Sequence, residues 1–205
     1  MSTKSGQVQL VRAKACGLEV PDTLVSQDPS KVHSFYERHH GRVVVKTLSG
    51  GYLERTWPEE DTQIFTSRVL RNHLERVDLV QRCPTLFQEE VGKALDVRVT
   101  VVDHCFTGVS LEKKGADGAQ ITDIRRDNMD GVQYRRVELP TSVTNSIVAM
   151  MRQYGLRFAA VDFAVDLEGR WIFLEVNPGG QWAWLDIAGI TDIAGDLAQA
   201  MTATP

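Results

Sequence analysis

The sequence predicts an α+β protein, because strand-like and helix-like patterns both occur along the chain. Residues 96–103 alternate apolar and polar side chains, which is the two-residue period of a strand with one buried face. Residues 161–177 form two further alternating runs around a turn at 167–170, which is typical of a β-hairpin. Residues 139–155 instead place N-cap chemistry before apolar residues at helical spacing and end at a glycine.

The remaining elements follow from similar local patterns. The first half of the chain predicts, in order, a short amphipathic helix at 8–16 ending near Gly17, a turn into a strand at 20–25, a helix at about 29–39, a β-branched strand at 41–48 and an extended piece near 52–53. The second half predicts strands at 86–91 and 96–103, loops at 113–118 and 125–131 with a short strand between them, the helix and hairpin described above, and a final helix at 193–201.

Composition excludes several classes of protein. The chain has 205 residues, of which 42% are hydrophobic and 24% charged, as in a globular protein of one large or two small domains. Its net charge of -4 argues against a nucleic-acid partner, and no apolar run approaches the roughly 20 residues of a membrane helix. Cys16, Cys83 and Cys105 are odd in number and lack paired metal-type spacing, so we expect a reducing compartment, the cytoplasm.

Three oxygen donors lie on the predicted hairpin at residues 161–177. Asp162 and Glu175 are placed to face each other across the two strands, and Asn177 lies on the face of Glu175. Such hard donors predict a Mg2+ site, in which water and substrate phosphates complete the coordination. The alternative is structural: Asp162 ends a strand, and residues 175–179 are an ordinary strand exit and turn in an α+β scaffold.

A lysine and two glycines predict a phosphate contact. Lys46 ends the strand at 41–48, and Gly50 and Gly51 follow it in a turn whose amides can approach phosphate closely. The motif is not a Walker sequence, because Gly-Lys-Ser/Thr is absent. A solvated surface lysine is the alternative.

Residues 88–91, in the middle of the chain, offer groups suited to binding a nucleotide. Their main-chain groups suit an adenine edge, and Asp96 follows as a carboxylate for ribose hydroxyls. Arg98, on the same strand face, is suited to stabilise developing phosphate charge, with an exposed cross-strand salt bridge as the alternative. The residues of the adenine stretch are Gln88, Glu89, Glu90 and Val91.

The order of these features resembles the ATP-grasp superfamily. The likeness is closest to graspetide (microviridin-type) peptide ligases, which mature ribosomally made peptides (RiPP biosynthesis), and to ribosomal-protein glutamate ligases. Three stretches carry it: Phe87-Gln88-Glu89-Glu90-Val91, Asp96-Val97-Arg98-Val99-Thr100-Val101-Val102 and Phe173-Leu174-Glu175-Val176-Asn177-Pro178-Gly179-Gly180-Gln181-Trp182.

The resemblance implies an α+β ATP-grasp fold of two subdomains with ATP between antiparallel sheets. Residues 1–90 would form the smaller subdomain with its preceding helix, and residues 91–205 the larger one with the metal site. ATP and Mg2+ would be bound by the residues named above. Arg125 resembles a family arginine near the reacting end, although Ile124 stands where a tryptophan is common.

The activity that the resemblance implies is ATP-dependent ligation. A carboxylate is phosphorylated and the acyl phosphate is attacked by an amine or hydroxyl, which crosslinks side chains of a precursor peptide as a lactam or lactone. Family members carry a further domain of roughly a hundred residues before the segment resembling residues 7–21, so this domain is expected to be missing. The alternative is therefore a truncated, non-catalytic ATP-binding module or partner protein. A homodimer is also implied.

Overall fold

The computed structural model describes residues 6–48, 52–53, 62–127 and 129–202. Within them the helices are α1 (Gly6–Ala15), α2 (Pro29–Arg38), α3 (Thr141–Tyr154), α4 (Ala183–Ile187) and α5 (Ile193–Thr202). The strands are β1 (Thr23–Ser26), β2 (Val43–Lys46), β3 (Tyr52–Leu53), β4 (Thr62–Gln63), β5 (Ser67–Arg68), β6 (Thr85–Glu89), β7 (Lys93–Val102), β8 (Cys105–Glu112), β9 (Gln133–Val137), β10 (Phe158–Asp166) and β11 (Trp171–Asn177). Two 3₁₀ segments complete the described elements, Arg71–Arg82 and Ile124–Asp127.

The chain divides into two compact units. The larger unit comprises Met1–Val20, Gly92–Gln120 and Gly131–Pro205, and the smaller unit comprises Pro21–Val91 and Ile121–Asp130. Each unit has its own antiparallel sheet and apolar core. The predicted α+β class is confirmed.

The larger unit is built on a five-stranded sheet with the order β11-β10-β7-β8-β9. The predicted alternation of β7 is confirmed, because Val97, Val99 and Val101 are buried in one core with α1 and α3. The opposite face carries Asp96 and Arg98. Beyond this polar area, α4 and α5 cover that face with a second apolar cluster.

The smaller unit has a four-stranded sheet with the order β1-β6-β2-β5. Its core forms where α2 presents Val32 and Phe35 toward Val43 and Phe87 of the sheet. The helix begins at Pro29, as the sequence predicts. The Asp28 side chain caps it by accepting a hydrogen bond from the Ser30 amide (2.9 Å), and the proline lies in its first turn.

Several sequence predictions need correction. The helix at 139–155 forms as α3 and ends at Gly155 in the left-handed conformation, but its N-cap is Pro140 and no side chain caps it. The short strand predicted between loops 113–118 and 125–131 is absent from the described residues there, which contain only an isolated bridge from Lys114 to Gln120. The Gln120 side chain bonds to neighbouring backbone instead, at the Lys113 amide and the Leu111 carbonyl (both 2.9 Å).

Two strands of the larger sheet were not predicted from the sequence. They are β8 and β9, which pair with each other and continue the sheet outward from β7. In the part of the chain that the structure describes, no helix combines the length and apolar character needed to cross a membrane.

Candidate functional site

A group of polar side chains lies on the face of the larger sheet opposite α1 and α3. Asp162 on β10 is the register partner of both Arg98 on β7 and Glu175 on β11. Asp96 lies two residues before Arg98 on β7, and Asn177 lies two residues after Glu175 on β11. We call these five residues the central polar patch. The sheet pairing therefore brings together side chains that are up to 81 positions apart in sequence.

A β-bulge in β11 decides which of its side chains reach the patch. The register shifts after the pair Asp162–Glu175, so that Leu174 is an extra residue. Phe173 and Val176 are consequently both buried in the same core, at 0% and 2% exposure. Strict alternation would have put Phe173 on the same face as Glu175. The bulge resolves this conflict and leaves Glu175 exposed beside Asp162.

Arg98 and Asp162 form the best-defined contact of the patch. The guanidinium donates from Nε and Nη2 to the two carboxylate oxygens, both at 2.8 Å, and each side chain is 21% exposed. This bidentate geometry fixes the plane of the guanidinium. Arg98 also donates to the Gln181 carbonyl (3.3 Å) and lies 5.9 Å from the Trp184 ring centroid. The arginine is thereby held in one orientation.

Asp96, which the sequence predicts to contact ribose, also binds two neighbouring side chains. Lys93 donates to both of its oxygens at 2.7 and 2.8 Å, and Gln120 donates to one of them at 2.9 Å. Burial raises the pKa of Asp96 above its ordinary value, although Lys93 and Gln120 act in the opposite direction. Lys93 and Gln120 are thus site residues that the sequence reading missed. The lysine three positions before the aspartate was the available signal.

The donor set of the patch fits a small divalent cation. Within the described residues no three His, Cys, Asp or Glu side chains form a metal-binding group, so Asp162 and Glu175 would need the Asn177 amide oxygen and non-protein ligands. Mg2+ is commonly bound in this way, by one or two carboxylates with water and phosphate. Asp162 can bind both Arg98 and a metal ion, because a bidentate arginine occupies only part of a carboxylate's acceptor capacity.

Asn177 is oriented by the turn that follows it. Its Oδ1 accepts a hydrogen bond from the Gly179 amide at 3.0 Å, and the Gly180 amide donates to the Asn177 carbonyl at 3.2 Å. These bonds fix the direction of the amide group at the end of β11.

In the smaller unit, Lys46 belongs to a chain of side-chain hydrogen bonds. Its Nζ donates to Gln88 Oε1 at 2.7 Å, and Gln88 Nε2 donates to Thr23 Oγ1 at 3.0 Å. Gln88 is buried and lies on the sheet face opposite Phe87. Gly50 and Gly51, predicted to contact phosphate with Lys46, lie outside the described residues.

The end of β6 is tied into the smaller unit through its amides and side chains. The Glu89 amide donates to the Asp22 carbonyl and the Glu90 amide to the Arg42 carbonyl, both at 2.9 Å. Glu90 also pairs with Arg68 through its carboxylate. These two amides are therefore already hydrogen-bonded. A ligand that binds the main chain of this segment must use other groups, such as those of Val91.

Arg125 lies next to a buried aspartate that the sequence reading did not single out. Its Nε and Nη2 donate to the two oxygens of Asp123 at 2.9 and 2.7 Å, and the Thr66 amide donates to one of them at 3.1 Å. Burial alone would raise the pKa of Asp123, but the hydrogen bonds and charge of Arg125 hold it below its ordinary value.

Replacing Arg125 with glutamine should reduce the loss in free energy of unfolding that occurs as the pH is lowered. A carboxyl with a lowered pKa stabilises the fold above its unfolded pKa of about 3.9, and this contribution disappears as pH falls through the folded value. We expect the variant to lose about 1 kcal/mol at pH 7 and to approach wild type in acid. Urea unfolding across pH measures this. Arg71→Gln, which removes a fully surface pair with Glu37, is the control. A loss independent of pH would contradict the assignment.

Among known proteins, only solved structures match this chain. No family model matches the sequence, and no curated protein does. The structure of macrocyclase MdnC bound with precursor peptide MdnA, from Microcystis aeruginosa MRC, shares 30% identity at a TM-score of 0.82 and aligns with 95% of this chain and 60% of its own.

Two further structures show the same pattern. A Chryseobacterium gregarium RiPP-associated ATP-grasp ligase, in complex with ADP and a leader and core peptide, has 27% identity and a TM-score of 0.83 over 94% of this chain and 57% of its own. Macrocyclase MdnB from Microcystis aeruginosa MRC has 31% identity and a TM-score of 0.74 over 98% and 60%. This chain thus spans about 60% of the length of these structures.

Proposed function

Because the chain belongs to the ATP-grasp superfamily and has its α+β fold, as the sequence predicted, we propose that it acts in the ATP-dependent ligation of a carboxylate to an amine or hydroxyl of a peptide. The observation that carries this proposal is the central polar patch, where the Arg98–Asp162 pair lies beside Glu175 and Asn177. A fixed planar cation next to hard oxygen donors suits phosphoryl transfer.

The proposed reaction has two steps. A carboxylate oxygen of the peptide attacks the γ-phosphorus of ATP, which forms an acyl phosphate and releases ADP. An amine or hydroxyl then attacks the acyl carbon, inorganic phosphate leaves, and an amide or ester is formed as the nucleophile loses its proton. Bound Mg2+ supplies charge neutralisation for the phosphates. No protein nucleophile is required.

Each candidate residue has a role in this proposal. Arg98 stabilises the charge on the transferring phosphoryl group, and Arg125 acts near the reacting end. Lys46, with Gly50 and Gly51, contacts phosphates. The remaining groups bind the nucleotide or the metal: Gln88, Glu89, Glu90 and Val91 at adenine, Asp96 near ribose, and Asp162, Glu175 and Asn177 at Mg2+.

We further propose that the substrate is a ribosomal precursor peptide whose side chains become crosslinked. The likeness to a macrocyclase bound with its precursor peptide supports this choice. ATP binding without turnover is the competing function. The three described cysteines are free, which agrees with a cytoplasmic location. A homodimer is proposed from the resemblance alone.

The first test separates these two functions. The protein is titrated with ATP by calorimetry, with and without Mg2+, and then incubated with ATP, Mg2+ and a panel of peptides rich in Asp or Glu and in Thr, Ser or Lys. ADP release together with a peptide that has lost water supports the ligase. Mg2+-dependent binding without ADP release supports the ATP-binding module. No ATP binding by the folded protein contradicts both.

Replacing Glu175 with glutamine should remove most of the Mg2+-dependent part of ATP binding. The substitution keeps the size of the side chain but removes the charge, and we expect roughly tenfold or greater weakening. Calorimetry at saturating Mg2+ measures the change. Glu168→Gln is the matched control, because Glu168 lies exposed in the β10–β11 turn. Equal affinities for the two variants would exclude Glu175 from the metal site.

A further inference from the structure

The outer edge of β11 is covered by the N-terminal segment of the larger unit. Among the described strands, β11 is at the end of its sheet and pairs only with β10. Near its start, the Phe173 amide donates to the Glu19 carbonyl at 2.8 Å, and Glu19 forms an isolated parallel bridge with Ile172. Near its end, the strand meets α1. The backbone groups on this edge therefore have protein partners rather than a neighbouring strand.

The contact from α1 is made by one buried side chain, Gln9. Its Nε2 donates to the Val176 carbonyl at 2.9 Å, and its Oε1 accepts from the Val176 amide at 3.1 Å. Gln9 is 7% exposed and lies 167 positions from Val176. A carboxamide carries a donor and an acceptor in one plane, so this side chain makes both hydrogen bonds that a sixth strand would make.

Val176 is the residue between two proposed metal ligands. Glu175 and Asn177 precede and follow it on β11, and the bulge at Leu174 disrupts the ladder to β10 immediately before them. A bulged edge strand has fewer hydrogen bonds to hold its backbone in place. The two bonds from Gln9 fix the peptide groups on either side of Val176, and hence the directions of the adjacent side chains.

We propose that Gln9 is a positioning residue for the metal site: its carboxamide holds the Glu175-Val176-Asn177 backbone so that both oxygen donors point into the central polar patch. This inference rests on the proposed function, because it requires that Glu175 and Asn177 bind the metal. In this role Gln9 acts through the backbone of Val176 and is not itself a ligand of the metal or the substrate. Partners that orient metal ligands commonly contribute about tenfold or more to metal affinity.

Gln9 also lies on a helix that packs against the core, so its role must be separated from simple anchoring of α1. The apolar anchors of that helix are Leu10 and Ala13, at 7% and 0% exposure. Gln9→Met keeps the length and helix propensity of the side chain while removing both hydrogen bonds. Leu10→Ala instead weakens the packing of α1 and leaves those bonds intact.

The experiment measures Mn2+ binding by electron paramagnetic resonance in the presence of ADP, together with Tm, for wild type and both variants. We expect Gln9→Met to weaken Mn2+ binding about tenfold, and Leu10→Ala to keep wild-type affinity despite an equal or larger fall in Tm. Wild-type affinity in Gln9→Met would overturn the inference, as would losses that follow Tm in both variants. If wild type binds no Mn2+ with ADP, the proposed function fails first, and this role for Gln9 with it.

Discussion

Replacing Arg98 with alanine is expected to lower the rate of the proposed ATP-dependent ligation about a hundredfold. The guanidinium is held by two 2.8 Å hydrogen bonds to Asp162 and one to the Gln181 carbonyl, so no reorganisation is needed when charge develops on the phosphoryl group. Removing it also leaves Asp162 without its partner, which alters the charge next to the proposed metal. The rate of ADP release at saturating ATP, Mg2+ and peptide is the measurement.

Arg98→Lys distinguishes charge from geometry. Lysine keeps the positive charge but lacks the planar fork that pairs with a carboxylate bidentately. We therefore expect the lysine variant to release ADP at a rate between those of wild type and the alanine variant. The change should appear in kcat more than in KM for ATP. Arg136→Ala is the matched control, because Arg136 is exposed on β9 of the same sheet and donates to the Ile190 carbonyl. Wild-type turnover in Arg98→Ala would leave Arg98 with a structural role only.

The sequence was sufficient to predict elements whose buried and exposed faces are strictly periodic. Residues 93–102 form β7 because Val97, Val99 and Val101 all face one core, which is the pattern that alternation encodes. Likewise, α2 forms where Asp28 and the following proline set its first turn. In these segments, local chemistry and tertiary packing favour the same structure.

The elements that were missed depend on contacts from outside the segment. Strand β9 exposes Gln133, Arg135 and Arg136, so its pattern carries no apolar stripe and it forms by pairing with β8. The strand expected near Gln120 fails to form because that side chain bonds to local backbone and to Asp96. Neither outcome follows from the composition of the segment alone.

The candidate site divides in the same way. The register set by the turn would pair Asp162 with Leu174, because Phe163 pairs with Phe173; that Asp162 and Glu175 come close across the hairpin was nevertheless predictable. The bulge that allows Phe173 and Val176 to share a core was not, since it resolves a conflict among side chains that only the packed sheet creates. The contact of Gln9 with Val176 spans most of the chain, and no local pattern in the sequence predicts a contact over that separation.

Replacing Gly180 with alanine is expected to destabilise the larger unit. A Cβ at this position would lie 2.3 Å from the Cβ of Ala160 and 3.2 Å from the Asn177 carbonyl. Ala160 is fully buried on β10, opposite Asn177, so it cannot move aside. Overpacking of this kind costs about 1–3 kcal/mol, which corresponds to a fall in Tm of roughly 2–12 °C for a chain of this size.

The adjacent glycine provides the control for this prediction. A Cβ on Gly179 would approach only Asn177 Oδ1, at 3.8 Å, which is an ordinary contact. Gly179→Ala should therefore change Tm little. Adding Ala160→Gly to Gly180→Ala removes the opposing methyl group and should restore part of the lost stability, a coupling that a double-mutant cycle measures directly.

The turn at Gly180 leads to the Gln181 carbonyl that holds Arg98. The Gly180→Ala variant should therefore also lose the proposed ligation activity, and the double variant should regain stability and activity together. Similar Tm values for Gly179→Ala and Gly180→Ala would mean that this turn does not pack on β10 as the structure describes.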